Sequence, residues 1–308
     1  MVAGSASEAY YLSFKLGFSI LIPTWDNLPY LQLCVNSIKR HSVFDHEIIV
    51  HINGSENIDQ IRAYLVKEDL KYTFSKNNEG VCVGVNSAFK LAKKDLIMYA
   101  NDDMYFLPEW DVELFNMAKR HSIPELSFIS SSMIEPTGNN PCCVAPYDYG
   151  TSIETFREHD LLKDFRSLRT FDKQSSTWPP SLWSRKYFEM IGGFDERYNP
   201  GMGSDPDIAK KLYDLGCRYF VGSGKSLVYH FQCKSTSKVV KNDGNQVFRR
   251  IHGIDIDPFV NGVLRRFWVR YRKPLPKKEN LAIKWIAIGG HFILCFLFRI
   301  KKKLKSFA

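Results

Sequence analysis

Several features that define whole classes of protein are missing from these 308 residues. No Cys-x-x-Cys pair and no Cys/His set at zinc spacing occurs, which excludes the common structural zinc modules. The seven cysteines (Cys34, Cys82, Cys142, Cys143, Cys217, Cys233 and Cys295) are odd in number. That count argues against a disulfide framework and fits free thiols in a reducing compartment. The adjacent Cys142 and Cys143 read as small buried hydrophobes. Internal repeats and low-complexity tracts are absent, as is any unbroken apolar run of the roughly 20 residues that span a bilayer. The N-terminal stretch MVAGSASEAYYLSFKLG lacks a charged segment leading into a long apolar one, so no secretory leader is expected.

A general positive excess is missing too, despite a net charge of +9. Arg265 to Lys305 holds 13 Lys/Arg against one acid, Glu279, which leaves 29 basic and 32 acidic side chains elsewhere. A duplex-binding protein spreads its positive charge over the fold. A mildly acidic body with a basic tail instead excludes nucleic acid as the expected partner and points to a membrane surface. With 44% apolar and 14% aromatic residues, the chain is also outside the disordered class.

What is present is an alternation of strand and helix signals. Short apolar runs at 18–23, 46–53, 72–75 and 95–100 read as strands, several closed by Pro or Asn-Gly turns. Between them, apolar spacing at Leu28, Leu31, Val35 and Ile38 predicts a helix over 28–41, with further helices over 58–68 and from about Val81. This order calls for a parallel, doubly wound α/β sheet. Ligands of such sheets bind outside the carboxyl ends of the strands. Thr24-Trp25-Asp26, Asn53-Gly54-Ser55 and Asn101-Asp102-Asp103 all fall there. Residues 132–182 are rich in Pro, Gly, Ser and Thr and read as loops around a cleft. Later, Asp205-Pro206 opens a helix that Gly216 ends, and KSLVYHF forms a strand carrying His230.

Asp102 and Asp103 repel each other at a strand end. They can be a solvated turn, or they can hold a divalent cation together with the phosphates of a substrate. The surrounding motifs, FSILIPTWDN, HINGSE, NNEGVCVGVNSAF, YANDDMYFLPEW, GGFDERY, GSDPDIAKKLYDLG and VYHF, occur in an order and spacing that resemble the family 2 glycosyltransferases. The resemblance covers about residues 18–233. It implies a GT-A fold, with a Rossmann-like, mostly parallel sheet flanked by helices. It also implies inverting transfer of a sugar from a nucleotide diphosphate, a UDP-sugar by preference, to a glycan or lipid-linked acceptor, with Mn²⁺ or Mg²⁺. On this resemblance the chain divides into an N-terminal tail (1–16), a nucleotide-sugar-binding half (17–125), an acceptor-binding half (126–240), a basic extension (241–280) and an apolar/basic membrane-associating segment (281–308).

Position by position, the resemblance puts Pro23, Thr24 and Asp26 at the start of the nucleotide pocket, with Asn53 and Ser55 facing the base. Asn78 and Gly80 match a nucleotide turn, and Asn86 a polar position one helical turn on. The family's Asp-x-Asp falls on Asn101-Asp102-Asp103, so Asp103 is the metal ligand and Asn101 and Asp102 sit beside the nucleotide. His230 matches a position that often completes the metal site. Asp205 matches the general base, although Ser204 replaces the acid expected before it, and a helix N-cap is the other reading of Asp205. Asp207 is an acceptor-binding group or an alternative base. Trp178 and Trp183 offer sugar-stacking faces, one of them assigned to the core. The departures at Asn101 and Ser204 leave open a catalytically silent nucleotide- or sugar-binding protein. The apolar stretch Trp285 to Phe298, flanked by Lys/Arg, is expected to lie on or re-enter the cytoplasmic face of a membrane, or to pack on the domain as a helix.

Overall fold

The computed structural model describes residues 6–137, 144, 147–175, 177–233, 242–265 and 270–277. Residues 281–308, expected from sequence to associate with a membrane, lie outside these residues, as do Cys142, Cys143 and part of the basic extension. Among the described residues no helix is long and apolar enough to cross a membrane.

After helix α1 (Ala6–Lys15), the chain lays down β1 (Ser19–Thr24), α2 (Leu28–His41), β2 (Glu47–Asn53), α3 (Ile58–Lys67), β3 (Lys71–Ser75), α4 (Val81–Phe89) and β4 (Leu96–Tyr99). These strands pair in parallel in the order β3-β2-β1-β4, as the alternation requires. β1, β2 and β4 are largely apolar and buried on both faces because both faces are covered, whereas β3 is part-exposed. Ile20, Ile22, Val50 and Ile52 join one core, and Leu21 and Ile49 the other. Pro29 in the first turn of α2 and Lys39, Arg40 and His41 in its last suit the two ends of a helix.

The remainder is β5 (Met104–Phe106), α5 (Trp110–Arg120), β6 (Ser127–Ile134), α6 (Glu158–Asp164), β7 (Lys173–Gln174), β8 (Ser181–Ser184), α7 (Arg185–Met190), α8 (Ser204–Asp214), β9 (Tyr219–His230) and α9 (Gly244–His252). Here the parallel expectation needs correction, because the sheet is mixed. β8 runs antiparallel to β4 and β6, β5 and β7 run antiparallel to β9, and β6 and β9 are parallel. The full order is β3-β2-β1-β4-β8-β6-β9-β5, with β7 on β9. The serine-rich run SFISSSMI, part of which the composition assigned to loops, is the fully buried strand β6. Two of its hydroxyls are satisfied by β9: Ser131 Oγ pairs with Ser226 Oγ at 2.7 Å and Ser132 Oγ donates to the Ser223 carbonyl at 2.8 Å. Polar composition misleads where the partners come from a strand about 90 residues away.

One core packs α1, α2, α3 and α5 on one face of the sheet, and the other packs α4, α7, α8 and α9 on the opposite face. Trp110 anchors the first, with its ring centroid 4.7 Å from Phe106 and 5.9 Å from Phe18, and with Nε1 donating to Ser42 Oγ at 3.1 Å. Because it is fully buried, Trp110→Ala is expected to lower unfolding free energy by about 3–5 kcal/mol in urea titrations. A loss under about 1 kcal/mol would contradict this packing.

Candidate active site

A cleft of about 470 Å³ opens where β1, β2, β4 and β9 end, and Thr24, Asn53, Asn101 and His230 line it with the first residues of α8. Its acidic wall is built by strand register. β5 pairs with β9 so that Met104 lies opposite His230, which brings Asp103 alongside the end of β9. The Asp103 carbonyl accepts from Phe231 N at 3.1 Å and Oδ2 from Cys233 N at 2.8 Å, while Oδ1 is 3.3 Å from His230 Nε2. On the other side β6 runs parallel to β9 up to the pair Ile134 and Tyr229. Glu135 therefore reaches His230, with Oε1 2.7 Å from Nδ1. Asp102 turns the other way and accepts from Thr24 Oγ1 at 2.7 Å.

These contacts set the protonation of the wall. Burial, reinforced by the neighbouring Asp103 charge, pushes the Asp102 carboxyl up to about 7. Burial also works against the Asp103 carboxylate, but the charge and hydrogen bond of His230 outweigh it and hold the carboxyl below its ordinary value. Burial disfavours the imidazolium of His230, yet Asp103 and Glu135 overcome this and raise its pKa to about 10. Repulsion between the two aspartates is thus relieved by an imidazolium beside one and by the raised proton affinity of the other.

Among the described residues no group of three His, Cys, Asp or Glu side chains forms a metal cage. The donor set does fit a cation completed by substrate. Asp103 Oδ1 and His230 Nε2 face one another on the cleft wall, and Mg²⁺ is typically bound by one or two carboxylates plus phosphates.

At the end of the cleft beside β1 and β2, Pro23, Thr24, Asn53, Asn78 and Gly80 line it. Asn53 Nδ2 donates to Asn78 Oδ1 at 2.8 Å, and the same oxygen accepts from Gly80 N at 3.0 Å. Gly80 has φ +90°, and a Cβ there would stand 2.4 Å from Asn199 Oδ1, an oxygen that accepts from Cys82 N at 3.1 Å. The turn therefore needs glycine twice over. Three of the predicted pocket residues are not on the cleft wall. Asp26 N donates to Ser55 Oγ at 2.9 Å and Asp26 Oδ1 accepts from Glu56 N at 2.6 Å, so this pair ties the loops after β1 and β2 together. Asn86 clamps Phe194, donating to its carbonyl at 2.8 Å and accepting from its N–H at 2.9 Å.

Asp205 lines the cleft from the first turn of α8. The N-cap reading does not hold: Gly203 occupies the cap with φ +92°, and no side chain caps this helix. Burial pushes the Asp205 carboxyl up to about 7, a value suited to a base working near neutrality. Asp207 does not reach the cleft. It is fully buried, with Oδ1 2.7 Å from His252 Nε2 and Oδ2 3.0 Å from Lys211 Nζ, and so fastens α8 to α9. Neither tryptophan assigned to the acceptor faces the cleft. Trp183 is buried in β8, stacked on Phe188 with centroids 5.6 Å apart, and Trp178 packs against the first core.

Trp25, Gln232 and Cys233 line the cleft without having been assigned a role from sequence. Trp25 was legible as the residue between two assigned ones at a strand end. Glu135 carried a weaker signal, an apolar run halted by Glu-Pro in the manner of FSILIP.

The glycosyl transferase family 2 model matches residues 19–123, the stretch that bears Thr24, Asn53 and Asn101 to Asp103. The chain is 24% identical over 243 residues to a chondroitin synthase of Pasteurella multocida, covering 70% of this chain and 25% of that protein. It is 27% identical over 184 residues to the uncharacterized glycosyltransferase YwdF of Bacillus subtilis, covering 58% of this chain and 61% of that one. It thus spans less than two thirds of the length of either relative. Among solved structures, S. aureus TarS 1-349 in complex with UDP-GlcNAc aligns with a TM-score of 0.56 at 17% identity, covering 76% of this chain and 65% of that one, a likeness of fold. With the family match lying on the strands that build the cleft, residues 19–123 carry the glycosyl transferase family 2 sequence, within a sheet whose likeness to that neighbour is one of GT-A-like fold.

Proposed function

We propose that the protein is an inverting glycosyltransferase that moves a sugar from a nucleoside diphosphate donor, a UDP-sugar, to a hydroxyl of a glycan or lipid-linked acceptor. The observation that carries this reading is that one cleft holds both Asp205, a desolvated carboxylate, and the Asp103–His230 pair. Asp205 takes the proton of the acceptor hydroxyl as that oxygen attacks the anomeric carbon, and the nucleoside diphosphate departs from the opposite face. Asp103 and His230 are the residues that would hold Mn²⁺ or Mg²⁺, which would supply positive charge to the diphosphate of the donor. Asn53, Asn78 and Thr24 supply the polar groups that orient the nucleotide. The UDP-GlcNAc complex of the TarS neighbour makes UDP the first probe of this site.

Asp103→Ala is expected to abolish Mn²⁺-dependent binding of UDP while the fold survives, as read by calorimetry and circular dichroism. Wild-type affinity in that variant would remove Asp103 from the metal site.

For the base, Asp205→Asn keeps the shape but cannot accept a proton. UDP binding should stay near wild type while transfer falls by roughly 10²-fold or more. Because the base acts in its deprotonated form, and its pKa is raised to about 7, the wild-type rate should fall as pH drops below that value and level off above it. Asp207→Asn should instead lower stability through the lost α8–α9 tie. A base role at Asp207 would show as a lost rate without lost stability.

The membrane part of this reading rests on the sequence from Arg265 to Lys305 and its 13 basic residues, which suit anionic headgroups on a cytoplasmic face. Deletion of residues 281–308 is expected to abolish most sedimentation with anionic vesicles and to spare UDP binding. Aggregation with lost UDP binding would identify a helix packed on the domain.

A further inference from the structure

We infer that Glu135 is a positioning residue that selects which nitrogen of His230 faces the cleft. The inference rests on the reading of Asp103 and His230 as the cation-holding pair. Strand β9 lies between β6 and β5, so its last residue, His230, is flanked by Glu135 just beyond the end of β6 and by Asp103 just before β5. The two neighbours are not equivalent. Glu135 is 3% exposed and is not part of the cleft wall, whereas Asp103 lines it. Glu135 Oε1 stands 2.7 Å from Nδ1, and Asp103 Oδ1 stands 3.3 Å from Nε2.

An ionised carboxylate only accepts hydrogen bonds. Glu135 therefore keeps a proton on Nδ1 and leaves Nε2 as the atom presented to Asp103 and the cleft. Histidines that ligate metals are commonly held by a carboxylate on the other ring nitrogen, which fixes ring orientation and raises ligand basicity. Were a cation bound beside Nε2, that nitrogen would have lost its proton to solvent while His230 Nδ1 kept its bond to Glu135. Without Glu135 the ring can turn about its Cβ–Cγ bond and present Nδ1 or a carbon to Asp103. Glu135 acts through His230 and touches neither donor nor acceptor.

The test uses the full chain with UDP present. Mn²⁺ affinity is measured by electron paramagnetic resonance, and the His230 tautomer by ¹⁵N shifts of labelled histidine with Mg²⁺. Glu135→Ala is expected to weaken Mn²⁺ binding by about 10- to 100-fold and to abolish the defined Nδ1-protonated tautomer. UDP binding in EDTA should stay unchanged. Glu135→Gln keeps an acceptor oxygen of the same reach and is expected to recover part of both signals. Glu135→Met, of similar size but without an acceptor, serves if the alanine variant fails to fold. Wild-type Mn²⁺ affinity and tautomer in Glu135→Ala, or in Glu135→Met when Glu135→Ala does not fold, overturn the inference while leaving the metal reading intact. A wild-type protein that binds UDP equally well with and without Mn²⁺ overturns the metal reading and this inference with it.

Discussion

The cleft depends on how three carboxylates are kept together at the strand ends. Asp102, Asp103 and Glu135 would repel one another across a poorly solvated wall. Thr24 Oγ1 binds the first, and the imidazole of His230 stands between the other two. The row is stable because β9 is gripped on both sides, by β6 in parallel and by β5 in antiparallel register. The interior charge is compensated by a neighbour of opposite sign, the condition under which buried ionised groups persist. An arrangement that rests on a single imidazolium is under-neutralised, which is a physical reason for a divalent cation to be welcome beside it.

The other half of the cleft relies on packing rather than charge. Asp205 stands at the start of a helix whose buried face includes Ile208, Ala209 and Leu212. Its preceding turn is pressed against α9: Gly244 comes so close to Met202 that an added Cβ would stand 2.1 Å from the Met202 carbonyl oxygen. Asn242 Nδ2 donates to the carbonyls of Tyr198 and Met202, at 3.0 and 3.3 Å. Together with the bond from His252 to Asp207, these contacts make α9 a brace for the carboxylate assigned as base. The chain beyond residue 240 thus contributes to the geometry of the cleft as well as to the basic character of the tail.

How much was legible from residues alone differs between the halves. Parallel β-α units in the first 100 residues have strong periods, because β1, β2 and β4 are largely apolar on both faces and each helix on one. Leu28–His41 and the start of α3 at Ile58 were readable to the residue. The later strands β6 and β8 pair with partners distant in sequence, and Ser131 and Ser132 find theirs only on β9, so composition read the parts of both strands that fall in 132–182 as loops. Trp178 and Trp183 suggested sugar platforms because an aromatic side chain carries no mark of whether its face meets a core or a solvent-filled cleft. Asp205 and Asp207 are two residues apart on the same first helical turn, and only the packing of α9 shows which is buried.

Sequence by itself determined the α/β class, the placement of Thr24, Asn53 and Asn101 to Asp103 at strand ends, and the concentration of positive charge after Arg265. Each follows from local periodicity or from counting, which need no partner strand. Only the tertiary structure decided that the sheet is mixed, that Glu135 meets His230, and that Asp26, Ser55, Asn86 and Asp207 are ties rather than cleft walls. Those outcomes depend on strand register and helix packing, in which a shift of one residue exchanges a buried side chain for a presented one.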